Sequence, residues 1–142
     1  MTEAEIRERL ILMIMDKAGA PREEVLACSD IEKDLGCTGD DFFELMEAYA
    51  KRFNVDMSGF LWYFHTHDES MATLNPLPSH PASAQVERIP VTLNVLVEKA
   101  MLGKWDMTYP PHALQPTCTR SERIVRWLFL AILIIFIARS YL

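Results

Sequence analysis

The chain has 142 residues, half of them hydrophobic, with 20 acidic residues against 14 lysines and arginines; that length holds one domain and an appendage. The charge is divided unevenly: 16 acidic and 7 basic residues lie up to Glu69, and 4 and 7 follow from Ser70 onward, so an acidic head that repels phosphate backbones argues against nucleic-acid binding. The three cysteines, Cys28, Cys37 and Cys118, are odd in number and show no CxxC spacing, which reads as reduced cytosolic thiols.

The first helix is signalled by Thr2 with Glu5 three residues later, a capping-box spacing. Ile6, Leu10, Met13 and Ile14 give it an inner stripe, Leu12 and Met15 make it apolar nearly all round, and it stops at Gly19, just before Pro21. A shorter segment, Pro21 to Cys28, leads into a long loop in which Ile31 plugs the core.

The stretch from Asp34 to Phe53, DLGCTGDDFFELMEAYAKRF, reads as a tight turn feeding an amphipathic helix. At about 100° per residue, Phe42, Met46, Tyr49 and Phe53 share an arc, with Phe43, Leu45 and Ala50 at its edges. Opposite lie Asp40, Glu44, Glu47 and Lys51, with acids early and bases late as the helix dipole prefers. Gly36 and Gly39 bracket Cys37-Thr38 and allow positive φ before the helix starts; Thr38 or Asp40 is the expected cap. No GxxxxGK[ST] or GxGxxG motif is present, so these glycines read as a turn and not as a phosphate cradle.

From Ile6 to Met57 the order of helix, Gly19, Arg22-Glu-Glu-Val25, loop, Asp34-Leu35-Gly36, then a helix with Glu44-Leu45 and Phe53 resembles the acyl carrier proteins. The resemblance implies a small all-α four-helix bundle. Acyl carriers bear a phosphopantetheine arm on the serine of a DSL motif that follows DLG and one further residue. Here the DSL positions hold Thr38, Gly39 and Asp40, so the arm-bearing serine is replaced by Gly39, which has no hydroxyl, and no phosphopantetheine cofactor is expected. Asp41 and Glu44 match family acids that dock on basic patches of partner enzymes, whereas Lys51 and Arg52 replace acids farther along. Joined with the charged line of the helix read above, this gives an expected partner-binding set of Asp40, Asp41, Glu44 and Glu47. A solvated, dipole-matched helix face accounts for the same residues without a partner.

Residues 54–69 form a short aromatic segment, expected as a third helix or irregular turn, with Phe60, Tyr63 and Phe64 inside and Ser58 capping. His65, His67, Asp68 and Glu69 are four potential ligands for a divalent metal, but no further Cys or His lies nearby in sequence, and a surface polar cluster is the expected reading. Residues 71–90, with Pro76, Pro78, Pro81 and Pro90, read as a linker or long surface loop. Thr92 then caps a helix carrying Leu93, Leu96, Val97, Ala100 and Met101 to Gly103, with Trp105 as a lid. This late helix, together with Gly39-Asp40-Asp41 in place of the serine motif, is similar to an uncharacterised family of acyl-carrier-like proteins from enteric bacteria, known only as a domain of unknown function. The bundle is thus expected over 1–106, with a linker over 107–123.

The tail contains Trp127 to Ala138, WLFLAILIIFIA, without a polar residue. Residues 124–142 as a helix would rise about 28 Å, close to the hydrocarbon thickness of a bilayer, with Arg126 and Arg139 at opposite interfaces. A C-terminal transmembrane helix is the expectation, and a helix docking on a hydrophobic partner is the alternative. Arg120, Arg123 and Arg126 before the run, against one arginine after it, place the bundle on the cytoplasmic side of a bacterial inner membrane. No nucleophile, acid/base pair or metal set stands out, so the expected role is non-catalytic: a tethered module that presents its acidic helix to a protein with a basic patch, with an acyl- or lipid-handling enzyme as the partner that analogy of fold suggests. The competing reading is a working carrier modified on Thr38 or Ser58.

Overall fold

The computed structural model describes residues 1–67 and 81–114. Helix α1 spans Glu3–Ala18 and opens with the reciprocal capping box: Thr2 Oγ1 accepts from the Glu5 amide at 3.3 Å while the Glu5 carboxylate accepts from the Thr2 amide at 2.8 Å. Ile6, Leu10, Ile11, Met13 and Ile14 are its buried residues. It ends at Gly19 in the left-handed region, a conformation that costs glycine nothing and orders the chain reversal into α2.

Helix α2, Arg22–Ala27, buries Val25 and is held to α1 by Arg22, which pairs with Glu8 at 2.6 Å. The long loop expected next instead contains a third helix, α3, Ile31–Leu35. At five residues it is too short to show periodicity in sequence. It stands because Asp30 accepts from the Lys33 amide at 3.4 Å, the fully buried Ile31 anchors it, and the Ile31 amide donates to the carbonyl of Val91 at 3.0 Å.

Helix α4, Gly39–Phe53, has the two faces expected of it: Phe42, Leu45, Met46, Tyr49 and Phe53 are buried, and Asp40, Glu44, Glu47 and Lys51 are exposed. Thr38 occupies the cap position, but its side chain makes no capping bond. Helix α5, Leu93–Leu102, does use its cap, Thr92 Oγ1 accepting from Val95 N at 3.1 Å. Leu93, Leu96 and Val97 face inward, whereas Met101, expected inside, is 53% exposed. The buried Tyr49 hydroxyl donates to the Leu96 carbonyl at 2.8 Å and so fixes α4 against α5. Helix α1 packs on α2, α4 and α5 and forms the spine of the core.

Residues 54–67 are irregular, with one 3₁₀ turn at Trp62–Phe64. Ser58 does not cap a helix; its amide donates to Asp56 at 2.9 Å in an Asx-type turn. Gly59 lies so close to the Trp105 backbone that a Cβ would sit 2.5 Å from its carbonyl oxygen. Residues 81–90, the described part of the segment read as a linker or long surface loop, pack on the domain as a loop, through a 3₁₀ turn at Ala82–Gln85 and an Ile89 amide bonded to the Phe64 carbonyl at 2.6 Å. Residues 107–114, read as linker, also return to the domain, because Tyr109 enters the aromatic cluster described below. The described residues are helical and contain no strand; one isolated bridge pairs Asp56 with Lys104. No helix among them is long and apolar enough to cross a membrane, and the helix expected over 124–142 lies outside the described residues.

Candidate functional site

Three neighbouring features could carry function: the acidic face of α4, an ion-paired cluster under α3, and an aromatic network that joins the 54–67 segment to 104–112. On α4, Asp40, Asp41, Glu44 and Glu47 are all exposed. Among the described residues their only ion-pair partner is Lys17, 3.5 Å from Glu44, an exposed pair that contributes little. Phe43 lies on the same side of the helix, 39% exposed, its ring in an edge contact with Trp62 at 5.7 Å. Gly39 opens the helix with φ at +53°.

The second feature is built by α3. Asp30 and Glu32 flank Ile31 and are 6% and 2% exposed, an unfavourable place for two carboxylates unless both are paired. Arg88 pairs them: one guanidinium nitrogen contacts Asp30 and the other reaches Glu32 at 2.7 Å. Glu32 also accepts from Thr66 Oγ1 at 2.7 Å and from the His67 amide at 3.0 Å. The neighbouring Asp30 carboxylate raises the Arg88 pKa further above its ordinary value, so the guanidinium is permanently charged. Glu32, Lys33, Thr38, His67 and Arg88 line an open cleft of about 420 Å³. With its oxygens already accepting from three donors, Glu32 is placed as a structural acceptor and not as a free base. Arg88 was missed in the sequence. Its one signal is isolation: it is the only lysine or arginine between Arg52 and Lys99.

The third feature centres on His65, which is fully buried, contrary to the surface polar cluster expected of it. Its Nδ1 donates to the Ile89 carbonyl at 2.9 Å, so Nε2 accepts from the Tyr109 hydroxyl at 2.8 Å. That hydroxyl in turn accepts from Trp105 Nε1 at 2.8 Å and from the Leu61 amide at 3.2 Å. Phe60 stacks on the imidazole, ring centres 5.2 Å apart. The imidazole is therefore neutral, and burial lowers its pKa below the ordinary 6.5.

A histidine whose folded pKa is depressed stabilises the fold fully above its unfolded pKa, and that contribution is lost as pH falls through the folded value. Urea unfolding is expected to show stability that is level above about pH 6.5 and declines below it, and His65→Gln should flatten that decline. The depressed carboxyl groups, Asp34, Asp56 and Asp106, act in a lower, separate window. An unchanged slope in the variant would remove His65 from this role.

Both His65 nitrogens are occupied within the protein, so it is not free to bind a metal with His67. Among the described residues no group of three His, Cys, Asp or Glu side chains could hold a metal ion; Asp68 and Glu69 lie outside them. Cys37 is buried and its thiol is pushed up to about 11, chiefly by burial, with Asp41 and Glu32 adding to the effect. Cys28 is raised for the same main reason. Neither is activated as a nucleophile. Cys118 lies outside the described residues.

These features define a small all-α domain with a solvent-facing acidic helix and an internally satisfied polar core. The family described as Protein of unknown function (DUF1493) matches residues 5–108, and the chain belongs to that family. The match takes in α1 from Glu5 onward, α2 to α5, the Arg88 cluster and Trp105. No curated protein and no solved structure matches the chain.

Proposed function

We propose that the protein is a non-catalytic, acyl-carrier-like interaction module that lacks the phosphopantetheine arm and presents α4 to a protein with a basic patch. The observation that carries this reading is the start of α4. Where the resemblance puts an arm-bearing serine there is Gly39, followed by four exposed carboxylates at Asp40, Asp41, Glu44 and Glu47. The backbone adds support: φ at Gly39 is positive, a region that costs a residue with a Cβ about 1–2 kcal/mol. The tail, 124–142, is proposed as a single-pass anchor that holds the domain on the cytoplasmic face of a bacterial inner membrane and raises its local concentration near membrane-bound enzymes. An acyl- or lipid-handling partner follows by analogy of fold alone.

Charge reversal tests the docking face. Glu44→Lys with Glu47→Lys alters two exposed positions and should leave stability within about 0.5 kcal/mol. The tagged full-length variant is expected to lose the proteins that wild type co-purifies from detergent-solubilised host membranes, and wild type should lose them at high salt. Equal recovery by both proteins would move the interface away from α4.

A second reading has one observation in its favour. Thr38 lines the cleft with Lys33 and Arg88 and its hydroxyl makes no capping bond, which leaves an oxygen free for modification. Ser58, exposed at the Asp56 turn, is the other candidate for that reading.

A further inference from the structure

We propose that residues 107–112 are a pH-gated strap, held down while His65 is neutral and released when its imidazole takes a second proton. The main chain is fixed as far as Asp106: the Trp105 amide donates to the Asp56 carbonyl at 2.8 Å, the Asp56 amide donates to the Gly103 carbonyl at 3.0 Å, and Asp106 pairs with Lys99 at 2.8 Å. Beyond Asp106 no main-chain hydrogen bond ties 107–112 to the other described residues. Side chains hold it instead. Met107 packs against the core, the Tyr109 hydroxyl bonds His65, and His112 Nε2 lies 2.8 Å from the Tyr63 hydroxyl.

The Tyr109 hydroxyl cannot receive a further donor. Its lone pairs accept from Trp105 Nε1 and the Leu61 amide, and its own proton points at His65 Nε2. On a charged imidazole both nitrogens donate. Nδ1 keeps the Ile89 carbonyl, whereas the new Nε2 proton meets the hydroxyl proton in a fully buried place, so the phenol must turn away. The charges around the ring are divided. Arg88, which donates to the His65 carbonyl at 3.4 Å, disfavours a second positive charge, and Glu32 and Asp30 favour it; burial outweighs them and keeps the ring neutral. Lys99, which acts on Tyr109 from the other side, is neutralised by Asp106. The Tyr63–His112 contact is exposed, so water replaces it without a clash, and it is not the gate. Release uncovers Phe64, which is 1% exposed with the Tyr109 and His112 rings 4.8 and 4.9 Å from its own. The strap involves neither α4 nor a partner, so its failure would leave the proposed function standing.

Amide hydrogen exchange, followed by NMR on the full-length chain in detergent micelles and corrected for the intrinsic effect of pH, tests the strap. The Leu61 amide reports release, because its acceptor is the Tyr109 hydroxyl. The amides of Ile14 and Tyr49, at buried helical positions, report global opening. The released state binds a proton at an ordinary histidine pKa of about 6.5, so between pH 7 and pH 5 the protection of Leu61 should fall about tenfold beyond any change at Ile14 and Tyr49. His65→Gln cannot take up the proton and should abolish that extra fall. Tyr109→Phe removes the hydroxyl and should leave Leu61 weakly protected at both pH values. Three results would overturn the strap: equal protection of Leu61 at the two pH values in wild type, a fall only in step with Ile14 and Tyr49, or an extra fall that persists in His65→Gln. If His65→Gln does not fold, Tyr109→Phe decides, and a wild-type response of Leu61 in that variant would overturn the strap.

Discussion

Replacing Arg88 with methionine is expected to destabilise the fold by about 3–5 kcal/mol at neutral pH, because it strands two carboxylates in the interior. Asp30 and Glu32 have side-chain exposures of 9% and 3%, so water cannot take over from the guanidinium. The loss should be structured in two ways. It should shrink as pH is lowered, since an unpaired buried carboxyl has a raised pKa and becomes protonated, and so neutral, well above its ordinary range. It should also be largely recovered when Asp30→Asn and Glu32→Gln are added, because replacing every member of a buried ionic cluster costs far less than removing one. Chemical denaturation of the three proteins at pH 5 and pH 7 checks this. A deficit below about 1 kcal/mol would place the cluster in the class of solvated pairs.

Trp105→Ala is expected to cost a similar amount, about 3–5 kcal/mol. The indole is 2% exposed and packs edge-on against both Phe60 and His65, with ring centres 5.0 and 5.6 Å away. It also donates to Tyr109, the hydroxyl on which His65 depends. Trp105→Phe separates the two contributions. It keeps most of the apolar burial and loses the N–H donor, so its cost should be nearer about 1 kcal/mol. Equal losses for the two variants would mean that the hydrogen bond to Tyr109, and not packing, dominates.

What the sequence revealed and what it concealed divide along the range of the interactions. The ends of α1 and α5 were legible because Thr2 with Glu5, Thr92, Gly19 and Gly103 act on residues only a few positions away. The two faces of α4 were legible because fifteen residues suffice to express a helical period. The helix α3 was not, since one turn has no period and its stability comes from Ile31 burial and the Asp30 cap. Arg88 pairs with acids 56 and 58 positions away, a relation that no local pattern encodes. His65 was placed on the surface because the HxHDE string is polar, whereas its burial depends on Tyr109, 44 positions later. Asp40, Glu44, Glu47 and Lys51 on α4 were legible as an exposed line because they recur at helical spacing opposite the buried Phe42, Met46 and Tyr49.

The central proposal is that the domain works without a phosphopantetheine arm, and intact mass measures that directly. The full-length protein is weighed after expression in a bacterial host, and again after incubation with a broad-specificity phosphopantetheinyl transferase and coenzyme A. The expected result is the mass of the polypeptide alone in both samples, as Gly39 offers no oxygen to the transferase. An added phosphopantetheine, mapped to Thr38, Ser58 or any other hydroxyl, would contradict the proposal and make the protein a working carrier.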